Sequence, residues 1–339
     1  MTRVPSKGLG IVAIGRNEGA RLRKCIASAK QASDFIVYVD SGSTDGSIDY
    51  AKSQGTVVVE LDSDVPFTAA RARNAGARKM AELWPNVELI HFVDGDCEIV
   101  PDWCTAATEF MATHDDVGVI CGQRIERYPE KSIYNRLCAM DWFAPAGDTQ
   151  SCGGDSIVRA SAFSDVDGFT ETMIAGEEPE MCFRMRQEGW KVHRLDHPMT
   201  LHDADMKRFS QWWRRAMRSG HAYAEGQARH GGLIRGYRAR EVRSIVFWGL
   251  ALPVVIVVAV ALAGPACLIL ILLYGFQWWN IRAGRRRLTG TAAHTSLYAT
   301  FCLLGKFAEL LGVFRYWFNR IFGRKSYLIE YKGNLRSHA

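Results

Sequence analysis

Four polar clusters in this 339-residue chain, three of them following short apolar runs, carry side chains able to bind or react. The most pointed is Asp94-Gly95-Asp96, which continues directly from Leu89-Ile90-His91-Phe92-Val93. Two carboxylates flanking a glycine repel each other unless a cation joins them, and Mn²⁺ or Mg²⁺ prefers such oxygen ligands. Asp40-Ser41-Gly42-Ser43-Thr44-Asp45-Gly46-Ser47 offers a carboxylate for a ribose or a base, or a plain turn with Asp45 as helix cap. Ala70-Arg71-Ala72-Arg73-Asn74-Ala75-Gly76 puts arginine where a helix should open. That suits a diphosphate, through bidentate hydrogen bonds and charge, or else a solvated helix face. Gly15-Arg16-Asn17-Glu18-Gly19 is not G-x-G-x-x-G, so the dinucleotide fingerprint is missing.

The elements that must hold these groups are legible as alternation. Gly10–Ile14, Phe35–Asp40, Thr56–Glu60, Leu89–Asp94 and Val117–Gly122 are short and rich in Val or Ile, as strands are. Between the first two, Leu22, Cys25, Ile26 and Ala29 fall on one helical face. Strand, helix, strand within about thirty residues is a βαβ unit, and such units predict a parallel sheet in an α/β fold. A parallel sheet collects ligands at the carboxyl ends of its strands, where three of the clusters sit, while the arginine cluster opens a helix.

Charge is dense up to Arg243 and then stops. From Ser244 to Ile281 the chain has no Asp, Glu, Lys, Arg or His. As one helix that run would reach roughly 57 Å, against a hydrocarbon core of about 30 Å. Gly264-Pro265 lies near its middle, where a break is expected. Arg235, Arg238, Arg240 and Arg243 flank one end, and Arg282, Arg285, Arg286 and Arg287 the other. A transmembrane hairpin over about residues 245–280, with both ends cytoplasmic, satisfies the length and the positive-inside tendency. Residues 296–318 carry Lys306, Glu309 and Arg315 and read as an interfacial amphipathic helix ahead of a basic tail with Arg320, Arg324, Lys325, Lys332 and Arg336. The net charge of +6 sits largely beside the apolar run, which points to a membrane surface rather than nucleic acid. Nine scattered cysteines without a C-x-x-C pair give neither a disulfide framework nor a zinc motif. The N-terminus lacks a signal-peptide pattern, so the expectation is a catalytic domain at residues 1–235 on the cytoplasmic side of the inner membrane, then a membrane-associated region at 236–339.

The ordered set of motifs resembles the family 2 glycosyltransferases, with their GT-A nucleotide-sugar fold. The likeness covers about residues 8–220. It rests on Ile14-Gly15-Arg16-Asn17-Glu18, Val39 to Ser47, Ala72 to Gly76, Asp94-Gly95-Asp96, Gly153-Gly154-Asp155-Ser156-Ile157-Val158-Arg159 and Gly176-Glu177-Glu178-Pro179-Glu180. The resemblance implies an inverting sugar transfer that uses a nucleotide-sugar donor and a divalent cation. It implies donor contacts at Asn17, Glu18, Asp40, Asp45, Arg73 and Asp94, and a metal at Asp94, Asp96 and His202, with His197 a rival for the last. It implies Glu178 as the general base, and acceptor contacts at Gly154, Asp155, Glu177 and Trp212. Membrane attachment adds a lipid-linked or envelope saccharide, such as an exopolysaccharide, as acceptor.

Two features depart from the family pattern. The usual Glu-Asp pair is Glu177-Glu178 here, followed by proline, and Glu180 is expected in the first turn of the helix that follows. Gln211-Trp212-Trp213-Arg214-Arg215 resembles the Q-x-x-R-W signature of processive members but has arginine in place of the final tryptophan, which argues against processive synthesis. The competing readings are a catalytically inactive membrane adaptor of the same fold and a nucleotide-cofactor oxidoreductase. The intact carboxylates oppose the first, and the missing glycine fingerprint opposes the second.

Overall fold

The computed structural model describes residues 8–231 and 236–324. The chain before Gly8, Arg235, and the tail residues Lys325, Lys332 and Arg336 lie outside the described residues. The chain divides into two compact units. One runs through Lys131 and resumes over Asp141–Asp205; the other comprises Ser132–Met140 and the chain from Met206 onward.

The first unit begins with β1 (Leu9–Gly15), α1 (Ala20–Ala32), β2 (Phe35–Asp40), α2 (Ser47–Ser53), β3 (Val57–Glu60), α3 (Ala69–Leu83) and β4 (Leu89–Asp94). Leu22, Cys25, Ile26 and Ala29 are all buried on α1, as their helical spacing requires. After β5 (Cys97–Ile99), α4 (Trp103–Ala112) and β6 (Val117–Glu126), α5 (Ile133–Trp142) lies mostly in the other unit. The first unit then adds β7 (Gly147–Asp148), β8 (Ser156–Arg159), α6 (Ala160–Asp165), α7 (Glu177–Gln187) and β9 (Lys191–His202).

The sheet runs β3-β2-β1-β4-β8-β6-β9-β5, with β7 paired to β9. Its first four strands are parallel, as the βαβ pattern predicts, but β8 enters antiparallel between β4 and β6, and β5 pairs antiparallel with β9. The sheet is therefore mixed. Beyond β4, only β6 and β9 pair in parallel, across a connection that holds β7 and β8. Register aligns the strand exits: Gly15 pairs with Asp40, and Ile14 with Asp94. Further across, Arg124 pairs with Thr200, Glu126 with His202, and Cys97 also with His202.

The second unit holds α8 (Phe209–His230), α9 (Ala239–Val246), α10 (Leu252–Ala263), α11 (Leu272–Thr289) and α12 (Thr295–Ile321). A π-helical turn joins α9 to α10, and a 3₁₀ stretch at Pro265–Ile271 leads into α11. Gly264, at φ 93°, breaks the apolar run at the expected place. Among the described residues, three helical stretches are long and apolar enough to cross a membrane: Ala239–Ala263, Pro265–Thr289 and Thr295–Ile321. The third covers the segment expected to be interfacial, and its Lys306 and Glu309 pair with each other at 2.8 Å. α12 packs backbone to backbone on α8. A Cβ at Gly312 would lie 2.0 Å from the Met217 carbonyl, so only glycine permits that crossing.

Candidate active site

The exit of β4 is held by an ionic lattice. Arg73, 2% exposed on α3, donates to Asp94 Oδ1 at 2.8 Å and to Glu177 Oε1 at 2.7 Å. Burial alone would lower the pKa of this guanidinium, but the Asp94 and Glu177 carboxylates outweigh it and keep the group charged. Arg73 thus turns inward between two carboxylates, and the solvated helix face is not its place. Arg124, on β6, lies 2.9 Å from Asp155 Oδ2 and 3.5 Å from Asp94 Oδ2. Asp155 is fully buried and accepts hydrogen bonds from the Asp94 N–H and the Thr200 hydroxyl. Burial pushes its pKa up, and Arg124 with these donors holds it below the usual range. Gly154 fits in the middle of this lattice. A Cβ there would come within 3.0–3.1 Å of Arg73, Arg124 and Asp94 and would press on all three side chains.

Asp96 turns the other way. Its Oδ2 lies 3.4 Å from His202 Nε2, and both residues are buried. On the far side, His202 Nδ1 lies 3.5 Å from Glu126 Oε2, and the imidazole meets the Trp142 ring edge-on at 4.6 Å. A histidine with one nitrogen toward an acidic oxygen and the other backed by a carboxylate is the usual outer support of a metal ligand. The donor set of Asp96 and His202, with Cys97 adjoining, fits a divalent cation. Asp94, spent on Arg73, groups with Asp155 and Cys97 instead. His197 sits against Trp103, with Nδ1 2.7 Å from the Pro198 carbonyl.

The loops after β1 and β2 lock together. Asn17, in the left-handed region at φ 55°, accepts from the Thr44 N–H at 2.7 Å and donates its own N–H to Ser43 Oγ. Asp40 is fully buried, with Oδ1 taking the Gly42 and Ser43 amides and Oδ2 the Tyr38 hydroxyl. Both its oxygens therefore shape the turn. Asp45 accepts from the Ser47 amide at the start of α2, and Glu18 pairs with Arg21 at 2.8 Å.

The paired glutamates at the start of α7 differ sharply. Glu177 is committed to Arg73. Glu178, 6% exposed, fixes Oε1 with the Cys152 N–H at 2.6 Å and the Cys152 and Cys182 thiols at 2.9 and 3.2 Å. Burial pushes the Cys152 thiol up; contact with Cys152 and then burial push Cys182 up, so both stay protonated and donate. Among the described residues nothing bonds Glu178 Oε2, which leaves a carboxylate oxygen able to take a proton. Glu180 is 1% exposed and bonded to Thr170 and Arg184, a structural anchor in the first helical turn as expected. Trp212 lies on α8 in the second unit, edge-on to Phe301 at 4.8 Å.

The sequence reading missed Arg124, Glu126, Cys152, Cys182 and Thr200. An arginine inside the apolar Val117–Glu126 strand was the one available signal, because a charge in a central strand needs a buried partner.

Residues 11–158 match the glycosyl transferase family 2 profile. The chain carries a family 2 glycosyltransferase domain. The matched stretch contains Asn17 through Asp155; Glu177, Glu178 and His202 lie beyond it. Over 190 residues the chain is 22% identical to the succinoglycan biosynthesis protein ExoA of Rhizobium meliloti (strain 1021), covering 52% of this chain and 56% of that protein. It thus spans about half the length of that relative. Two solved structures share the architecture. The mannosyltransferase PcManGT from Pyrobaculum calidifontis, in complex with GDP-Man and Mn²⁺, superimposes with a TM-score of 0.57 at 15% identity over 94% of this chain and 90% of that one. S. aureus TarS 1–349 gives a TM-score of 0.50 at 13% identity, covering 91% of each chain. The domain has the GT-A fold.

Proposed function

We propose that the chain is a membrane-anchored glycosyltransferase that moves a sugar from a nucleotide-sugar donor to an acceptor hydroxyl with inversion. The observation that carries this reading is the Arg73 bridge from Asp94 to Glu177, which ties the start of α7, and Glu178 with it, to the exit of β4. Asp96 and His202 would hold a divalent cation, Mn²⁺ or Mg²⁺, with Asp94 beside them. When bound, that ion neutralises charge on the departing diphosphate. Asn17, Glu18 and Asp94 face the donor, and Asp40 and Asp45 act by shaping the loop that receives it. Glu178 Oε2 takes the acceptor proton as the oxygen attacks the anomeric carbon from the face opposite the leaving group, so one displacement inverts the centre. Gly154, Asp155 and Glu177 keep the acceptor side in register. Similarity to a succinoglycan biosynthesis protein supports an envelope or exopolysaccharide product, built on a lipid-linked or saccharide acceptor.

The membrane part supports a two-span hairpin with both ends cytoplasmic. Arg238, Arg240 and Arg243 flank one end, and Arg282 and Arg285–Arg287 the other. α12 rests on α8, which carries Arg214, Arg215, Arg218 and Arg229 and does not belong in hydrocarbon. That favours an interfacial α12. Reporter fusions at Met1 and Ala339 are expected on the same side; opposite sides would make α12 a third span.

The activity test is a screen of UDP- and GDP-sugars on detergent-solubilised full-length protein. The readouts are released nucleoside diphosphate with and without Mn²⁺, and the anomeric configuration of the product. Neither binding nor turnover of any donor would end this reading.

A further inference from the structure

The Glu178 carboxylate lies in a group of metal-ligating atoms that sugar transfer does not call for. Cys152 Sγ, Cys182 Sγ and Glu178 Oε1 converge, with separations of 3.6 Å between the sulfurs and 2.9 and 3.2 Å from each sulfur to the oxygen. All three residues are buried, and they come from two elements, the loop before β8 and the first turns of α7. Three atoms so spaced lie on a circle of about 1.9 Å radius. An ion about 1 Å above their plane would meet Zn–S and Zn–O lengths of about 2.3 and 2.0 Å, with only a few tenths of an ångström of opening. The separations are thus close to one face of a tetrahedron, with the fourth corner left to water.

The donor chemistry separates this cluster from the one at Asp96. Two thiolates select a soft or borderline ion and discriminate against Mg²⁺ and Mn²⁺, which carboxylates suit better. We propose that Cys152, Cys182 and Glu178 form a second metal site, specific for a thiophilic divalent cation of the zinc class, whose filling switches the enzyme off. Binding replaces two S–H···O hydrogen bonds by two Zn–S bonds and one Zn–O bond and releases two thiol protons to solvent. The ligand set then carries three negative charges against the ion's two. Arg194, whose Nη2 lies 3.5 Å from the Cys152 carbonyl oxygen, supplies a compensating positive charge. A carboxylate bound to zinc is a poor proton acceptor, so the bound ion withdraws Glu178 from acid–base work. This last step rests on Glu178 being the base; the metal site itself does not.

The test keeps the two apart. Reduced, chelator-treated full-length protein receives one equivalent of Zn²⁺ in excess Mn²⁺, and zinc-edge X-ray absorption counts the sulfurs around the ion. Two sulfurs at about 2.3 Å are expected. The Asp96–Cys97–His202 cluster offers only one sulfur, so wild-type protein alone discriminates between the sites. The Cys152→Ser/Cys182→Ser variant should lose the sulfur signal, whereas Cys97→Ser should keep it. One sulfur or none in the wild type, or two sulfurs surviving in the double variant, overturns the site. The ratio of rates with and without zinc, taken within each protein, tests the switch: at least a tenfold loss is expected in the wild type and none in the double variant. Zinc bound through two sulfurs with an unchanged rate would overturn the switch and leave sugar transfer intact.

Discussion

Glu178→Gln isolates the proton transfer from everything else in the site. Oε1 receives three donors, the Cys152 N–H at 2.6 Å and the two thiols at 2.9 and 3.2 Å. Those donors orient the new amide with its carbonyl in place of Oε1 and its NH₂ in place of Oε2. A donor then stands where the reaction needs an acceptor, with almost no change in shape. The expected loss is that of a positioned general base, roughly 10²–10⁴-fold in kcat, or about 2.7–5.5 kcal/mol of barrier. The assay is release of nucleoside diphosphate at saturating donor and Mn²⁺, with donor affinity measured separately by calorimetry. Affinity should stay within a few-fold of wild type. Glu177→Gln weakens the Arg73 bridge and should reduce donor affinity more than kcat. Glu180→Gln removes the partner of Arg184 and should lower the melting temperature with little effect on rate. A kcat for Glu178→Gln within tenfold of wild type would refute the assignment. So would turnover abolished by Glu180→Gln but not by Glu178→Gln, which would move the base along α7.

Three further outcomes follow from the same geometry. Asp96→Ala should abolish metal-dependent donor binding with the melting temperature retained, and unchanged Mn²⁺-dependent turnover would remove Asp96 from the metal site. Arg73→Met leaves Asp94 and Glu177 without their buried cation and should destabilise the protein by about 3–5 kcal/mol in denaturant melts; a purely kinetic effect would show that Arg73 acts on the donor alone. His91 is fully buried, and burial lowers its pKa from 6.5 to about 4. The unfolded chain therefore binds the extra proton between these values. The stability that neutral His91 supports is complete above pH 6.5 and falls as the pH drops toward 4, by about 3 kcal/mol in total. His91→Leu should flatten that part of the stability profile relative to wild type, and an identical slope in both proteins would refute it.

What could be read from the sequence was whatever local patterning encodes. Strand periods placed β1, β2 and β4 to within a residue or two, because a short apolar run between turn residues has few other ways to bury itself. The 38-residue uncharged run, its Gly264 break and the order of the strand-end motifs are likewise properties of the chain alone. Side-chain direction is not. Arg73 and Asp40 were both legible as polar residues near a ligand site, yet folding turned both inward, one onto two carboxylates and the other onto its own loop. The pairings Arg124–Asp155, His202–Glu126 and Cys152–Glu178 join residues 26 to 76 positions apart, and the second is set by the β6/β9 register. The division of labour between Glu177 and Glu178 was also invisible. Neighbours on a helix point about 100° apart, and only the packed sheet beneath α7 decides which one meets an arginine and which one meets two thiols.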